Sequence, residues 1–206
     1  MLKLIKNIIS RIDWHLTPFT MLEIAFILIT YPLVKYAAPE FFMENGWIEN
    51  IQLLILALAV IIAVAAKNAK PLFVFCAMII FLLFLREADM GRSYFCAKYL
   101  KPDEICKWSS FKYAYIIDII RLIYALIMIF YALKHKIWRP LWQYLSRAPI
   151  YIWEIIFMMM GIAGGVVAEL RCCQNEIFEE SAETLMYAAA TYLIWRYAHL
   201  RLKNEI

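Results

Sequence analysis

The stretch "FLLFLREADMGRSYF", residues 81–95, gathers Arg86, Glu87, Asp89 and Arg92 into seven positions at the end of an apolar run. Carboxylates and guanidinium groups at that density transfer protons, bind ions or polar headgroups, or pair with one another. More ionisable residues interrupt other apolar runs: Asp118 and Arg121 in "YIIDIIRLIY", Glu169 in "GIAGGVVAEL", and Glu180 and Glu183 in "EESAETLMYAAA". These residues form the candidate binding set, an outward-opening polar pocket with Glu49 and Gln52 on its rim. Mixed signs suit a zwitterionic or anionic ligand, such as a lipid headgroup, or a proton-coupled transport site; an ion or a small polar ligand is also compatible. A Ca²⁺ or Mg²⁺ cage built on the carboxylates is disfavoured by the interleaved Arg86, Arg92 and Arg171.

Other chemistry finds little footing. His15, His135 and His199 lie near the ends of apolar segments, and no two share a ligand spacing, so neither a metal nor a cofactor is expected. There is no glycine-rich phosphate loop. The paired glutamates of "EESAET" are similar to those of the CAAX-type intramembrane proteases, but the Arg that follows in that motif is Thr184 here, which excludes the likeness. Cysteines beside a helical bundle resemble the quinone-linked disulfide-forming membrane proteins, yet "RCCQNE" is not their C-x-x-C motif.

The elements that must position these charges follow from composition. With 65% hydrophobic and 18% charged residues among 206, and a mean hydropathy of +0.66, the chain is too apolar for a soluble domain of this size. A hydrocarbon core is crossed by about 20 apolar helical residues. The expected fold class is all-α: a polytopic transmembrane helical bundle of about six spanning helices, near 20–37, 48–66, 71–90, 113–133, 150–170 and 179–199. An N-terminal interfacial amphipathic helix over 1–16, with Trp14 as anchor, precedes them. It has neither the long apolar core nor the cleavage site of a signal peptide. With no linker or repeat, residues 1–206 read as one domain.

The net charge of +4 comes from bases scattered between apolar runs rather than from one basic face, so no nucleic-acid partner is expected. Instead, Lys and Arg collect on one side of the proposed spans and most acids on the other. This predicts an integral protein of a bacterial inner (plasma) membrane with both termini cytoplasmic. Cys96, Cys106, Cys172 and Cys173 fall in the outward loops, where at least one disulfide is expected. The inner loop "KHKIWRPLWQYLSRAP" should lie on an anionic leaflet. Gly161 and Gly165 have the spacing for close helix packing, with Ala57, Ala63 or Ala188 to Ala190 as partners.

Helix dipoles separate ordinary charges from unusual ones. Glu49, Asp118, Glu179, Glu180 and Glu183 lie near helix N-termini, which favour acids. Glu87, Asp89 and Glu169 lie at C-termini, which oppose them. Pro71 to Leu85 is 15 residues, only about 22 Å of helix, so Arg86, Glu87 and Asp89 should complete the crossing, with Gly91 closing the helix. Arg86 with Asp89, and Asp118 with Arg121, have the spacing of local pairs. Glu87 and Glu169 are left needing partners on other helices. Near the inner surface, Glu23, Glu154 and Arg196 are expected to form an interhelical clasp, with Arg196 bridging the acids or one carboxyl neutralised.

Three functions fit this reading. The favoured one is small-molecule or ion transport, channel-like. The alternatives are a membrane-embedded enzyme acting on a lipid or lipid-linked substrate at the outer leaflet, and a non-catalytic membrane subunit or scaffold. The lipid bilayer is the expected partner, with an oligomer or a second membrane protein also compatible.

Overall fold

The computed structural model describes residues 8–36, 47–88, 115–169 and 176–200. Among them are seven helices: α1 (Pro18–Tyr36), α2 (Trp47–Ala65), α3 (Lys70–Glu87), α4 (Tyr115–His135), α5 (Trp138–Arg147), α6 (Ile152–Glu169) and α7 (Glu176–His199). Two short strands, β1 (Ile12–Asp13) and β2 (Ile150–Tyr151), complete the described elements. The chain is thus all-helical in class, and each expected apolar segment lies on a helix. Two helices, α2 and α4, are long and apolar enough to cross a membrane; α1 and α6 contain shorter apolar stretches, Pro18–Thr30 and Ile152–Ala168.

Local chemistry accounts for several boundaries. Thr17 precedes α1 and its Oγ1 accepts the Thr20 N–H at 3.1 Å, while Pro18 occupies the first helical position, where a missing N–H costs nothing. The Thr20 hydroxyl returns to the Thr17 N–H at 3.2 Å, closing a reciprocal cap. Between α2 and α3 the chain reverses through Ala69, which has φ 43°, and Pro71 lies in the first turn of α3. At its other end α3 stops at Glu87, short of the expected residue 90, and the Ala88 N–H bonds back to the Phe84 carbonyl at 2.9 Å. Gly91, assigned the closing role, lies outside the described residues.

Helix α7 is the centre of the bundle. Along it, Tyr187 packs with Leu56 and Ala59 of α2 and Ile80 of α3. Nearer its C-terminus, Ala198 meets Ala66 after α2 and Phe73 early in α3. These contacts set α7 parallel to α2 and antiparallel to α3. On the other flank, Phe157 of α6 packs on Leu185 and Ala189, and Phe19 of α1 stacks on Tyr192 with ring centroids 4.3 Å apart. Helices α1 and α6 therefore both run against α7. Helix α4 lies at the edge, joined to α3 where the Tyr124 hydroxyl donates to the Met78 carbonyl at 3.0 Å; none of its residues is buried.

The close approach of α6 to α7 corrects the expected glycine pair. A Cβ on Gly161 would lie 2.6 Å from the Ala182 carbonyl oxygen, and one on Gly164 would lie 2.8 Å from the Ala182 Cβ. One on Gly165 would meet nothing nearer than Glu183 Cγ at 4.0 Å. The contact face runs through Gly161 and Gly164, and its partners are Ala182 and Met186 rather than Ala57, Ala63 or the Ala188 to Ala190 run.

The N-terminal segment also departs from expectation. Within the anticipated helix over 1–16, Ile8 and Ile9 are helical, but the chain then turns and β1 pairs in parallel with β2, Ile12 opposite Ile150 and Asp13 opposite Tyr151. The cause is Arg11. Its Nη2 donates to the Leu145 carbonyl at 2.7 Å, and its Nε and Nη2 donate to the Ala148 carbonyl at 2.9 and 2.6 Å. A guanidinium there satisfies the free carbonyls and the negative dipole end of α5. The Ile150 N–H donates to the Arg11 carbonyl at 2.8 Å. Arg11→Ala removes charged hydrogen bonds worth ~1.5–3 kcal/mol, so the Ile150 amide should exchange with solvent about tenfold faster or more. Unchanged exchange would mean that Arg11 does not hold this segment. The inner loop itself contains α5, an amphipathic helix that leaves Trp138 and Trp142 exposed.

Candidate functional site

Glu180, Glu183, Thr184 and Tyr187 recur at helical spacing and form one stripe on α7. Since α2 and α7 both begin at this end of the bundle while α3 finishes there, the stripe meets Gln52 from one helix and Arg86 and Glu87 from the other. Gln52 is fully buried, at 0% exposure, and is the centre of the contact rather than its rim. Its Nε2 donates to the Glu180 carbonyl at 3.0 Å, to Glu180 Oε2 at 2.8 Å and to Thr184 Oγ1 at 3.1 Å. Its Oε1 is buried without a hydrogen-bond partner.

Arg86, whose expected local partner Asp89 lies outside the described residues, reaches Glu183 Oε1 of α7 through Nη2 at 2.8 Å, with Nε 3.8 Å from Glu87 Oε1. Glu87, placed against the dipole of α3, receives a hydrogen bond from the Tyr187 hydroxyl at 2.7 Å. The charge of Glu49 reaches both Glu87 and Glu180. Four carboxylates from three helices are thus grouped, and among the described residues Arg86 is the base that reaches Glu183 and Glu87.

The sequence-derived set is only partly united. Arg86, Glu87, Glu180 and Glu183 come together. Asp118 and Arg121 pair with each other at 3.5 Å on the exposed surface of α4. Asp89 and Arg92 lie outside the described residues, as do the Glu169 side chain and the four cysteines expected to form a disulfide. Cys76 in α3 is a free thiol. Thr184 and Tyr187 were missed, although their spacing from Glu180 already placed them on its stripe.

At the opposite end of α7, the expected clasp is corrected. Arg196 bridges neither Glu23 nor Glu154; its Nη2 pairs with Asp13 Oδ2 at 3.0 Å and its guanidinium lies 3.9 Å from the Tyr151 ring centroid. Pairing of β1 with β2 brings Asp13 to this position. Glu23 and Glu154 are buried, and only Glu154 has a hydrogen bond, from the Thr20 hydroxyl at 3.2 Å.

Compared with protein-family models, curated protein sequences and solved structures, the chain finds no match.

Proposed function

We propose that this is a multi-pass membrane protein of about six spans that moves a small polar solute or ion, with the Arg86, Glu87, Glu180 and Glu183 cluster as its outward-facing polar site. The observation that carries the reading is the acceptor surplus at that cluster. Among the described residues the carboxylates of Glu87, Glu180 and Glu183 outnumber the one guanidinium beside them, and the buried Gln52 Oε1 stands there without a donor. Intramembrane ionisable groups of this kind commonly mark ion or substrate routes. The surplus favours a cationic solute.

The spanning arrangement is supported by the helix directions: α1, α2 and α3 alternate, and α6 and α7 run opposite to each other, as successive crossings require. It is also supported by large apolar side chains exposed along α2 and α4, among them Leu54, Ile61, Leu122 and Phe130. The distribution of Lys and Arg supports a bacterial inner membrane with both termini cytoplasmic.

A second reading, a non-catalytic subunit or scaffold, has its own support: the hydrogen bonds of Gln52 with Glu180, Arg86 with Glu183 and Tyr187 with Glu87 each join two helices. Flux through liposomes containing the purified protein separates the two. Protons, sodium, potassium and methylammonium would each be driven by an imposed gradient. Transport predicts protein-dependent flux of at least one, reduced about tenfold by Glu87→Gln or Glu183→Gln in variants that retain their thermal stability. A structural role predicts reduced stability in the same variants. No flux of any probe through the wild-type protein would overturn the transport reading.

A further inference from the structure

We propose that Glu23 and Glu154 form a buried site that holds one small monovalent cation, a proton or an alkali-metal ion, between two carboxylates. It lies at the other end of α7 from the cluster above and does not depend on the chain being a transporter.

Glu23 is 3% exposed and Glu154 is 2% exposed. Both Glu23 oxygens are buried without a hydrogen-bond partner, and the side chain faces Glu154 closely enough for their charges to repel. Two bare carboxylates in an apolar interior are not sustainable, because desolvation and mutual repulsion act together. One positive charge between them offsets the repulsion and lowers the buried charge.

Among the described residues no neighbouring base supplies it. Arg196 of α7 is engaged by Asp13, and Arg11 by the carbonyls of Leu145 and Ala148. Tyr151 and Tyr192 are turned to Arg196, and Tyr197 is near enough to sense the Glu154 charge. His15 lies beside Asp13, to which its backbone N–H donates. On the α1 side, among the described residues, the hydrogen bond to the pair comes from Thr20, at 0% exposure, which the Thr17 hydroxyl holds at 2.7 Å.

The donor set selects the ligand. Two carboxylates and one hydroxyl are too few oxygens for Ca²⁺ or Mg²⁺, and among the described residues no group of three or more His, Cys, Asp or Glu is arranged to hold a metal ion. A proton shared between the carboxyls, or one alkali ion bridging them, needs no more oxygens than these and places a positive charge between the two acids.

Infrared difference spectra of the full chain in lipid nanodiscs test this. In choline chloride at neutral pH, the wild-type protein should show a protonated-carboxyl band that is lost in Glu23→Gln and in Glu154→Gln. Addition of sodium chloride at constant pH distinguishes the occupants. An unchanged band identifies the proton, whereas conversion to a carboxylate signal in the wild type, absent from both variants, identifies sodium binding. Either result supports the site. The proposal is overturned by a wild-type spectrum with neither the band in choline nor a response to sodium, or by a band that both variants retain. The wild-type measurements decide the matter if a variant fails to fold.

Discussion

Gly161→Val is expected to part α6 from α7 and to give the largest loss of stability of any single change in the bundle. The Cβ alone would lie 2.6 Å from the Ala182 carbonyl oxygen and 2.8 Å from both the Met186 N and Cβ. Two of those atoms belong to the backbone of α7 and cannot swing aside, so the helices themselves must move. Their separation would also strip Phe157 from Leu185 and Ala189. Overpacking of this kind costs ~1–3 kcal/mol for small additions and more for larger ones. Gly161→Ala should fall within that range and Gly161→Val above it. Gly165→Ala is the internal control: its Cβ would meet only Glu183 Cγ at 4.0 Å, and the change should be neutral or stabilising by ~0.5–1 kcal/mol, since glycine is costly within a helix. Thermal unfolding in detergent compares the three. Equal losses for Gly161→Ala and Gly165→Ala would show that the contact face is misassigned.

The second large effect is expected at Arg86. Arg86→Gln leaves Glu183, with a side chain 11% exposed, without its ion-pair partner among the carboxylates of Glu87, Glu180 and Glu49. Removing one member of a buried pair costs ~3–5 kcal/mol, but Arg86 itself is 55% exposed, and screening by water brings the expectation down to about 1–3 kcal/mol. The loss arises chiefly from the stranded acid, so Glu183→Gln in the same chain should recover most of it. Arg86→Lys should recover part, because an ammonium retains the charge but lacks the fork that spans Glu183 and Glu87. A double-mutant cycle on unfolding free energy measures the coupling. Additive effects of Arg86→Gln and Glu183→Gln would exclude the pair as a source of stability.

These two expectations also mark where sequence reading succeeds and where it stops. Helix-dipole reasoning singled out Glu87 as an acid needing a partner from another helix, and Tyr187 of α7 is that partner. It could not identify Tyr187, whose spacing from Glu180 made it one of several residues on the same stripe. Asp118 and Arg121 pair locally, as their spacing predicts. Arg86 gains a partner that spacing along its own helix does not reveal, because α7 brings Glu183 within 2.8 Å. The amphipathic pattern of residues 1–16 suggested a continuous helix; the hydrogen bonds from Arg11 to the carbonyls around the end of α5 favour a turn and strand instead.

The sequence by itself determined the helical class, the position of each apolar segment to within a few residues, and that Glu23, Glu87 and Glu154 would have to be accommodated between helices. Those properties depend on composition and on periodicity over a turn or two of chain. Tertiary structure alone decided that Gln52 is central, that Gly164 rather than Gly165 faces α7, that Arg196 serves Asp13, and that Glu23 and Glu154 meet without a base. Each of these depends on the direction, rotation and depth of one helix against another. Those variables are set by close packing among residues as far apart in the chain as Gln52 and Glu180, beyond the reach of any local pattern.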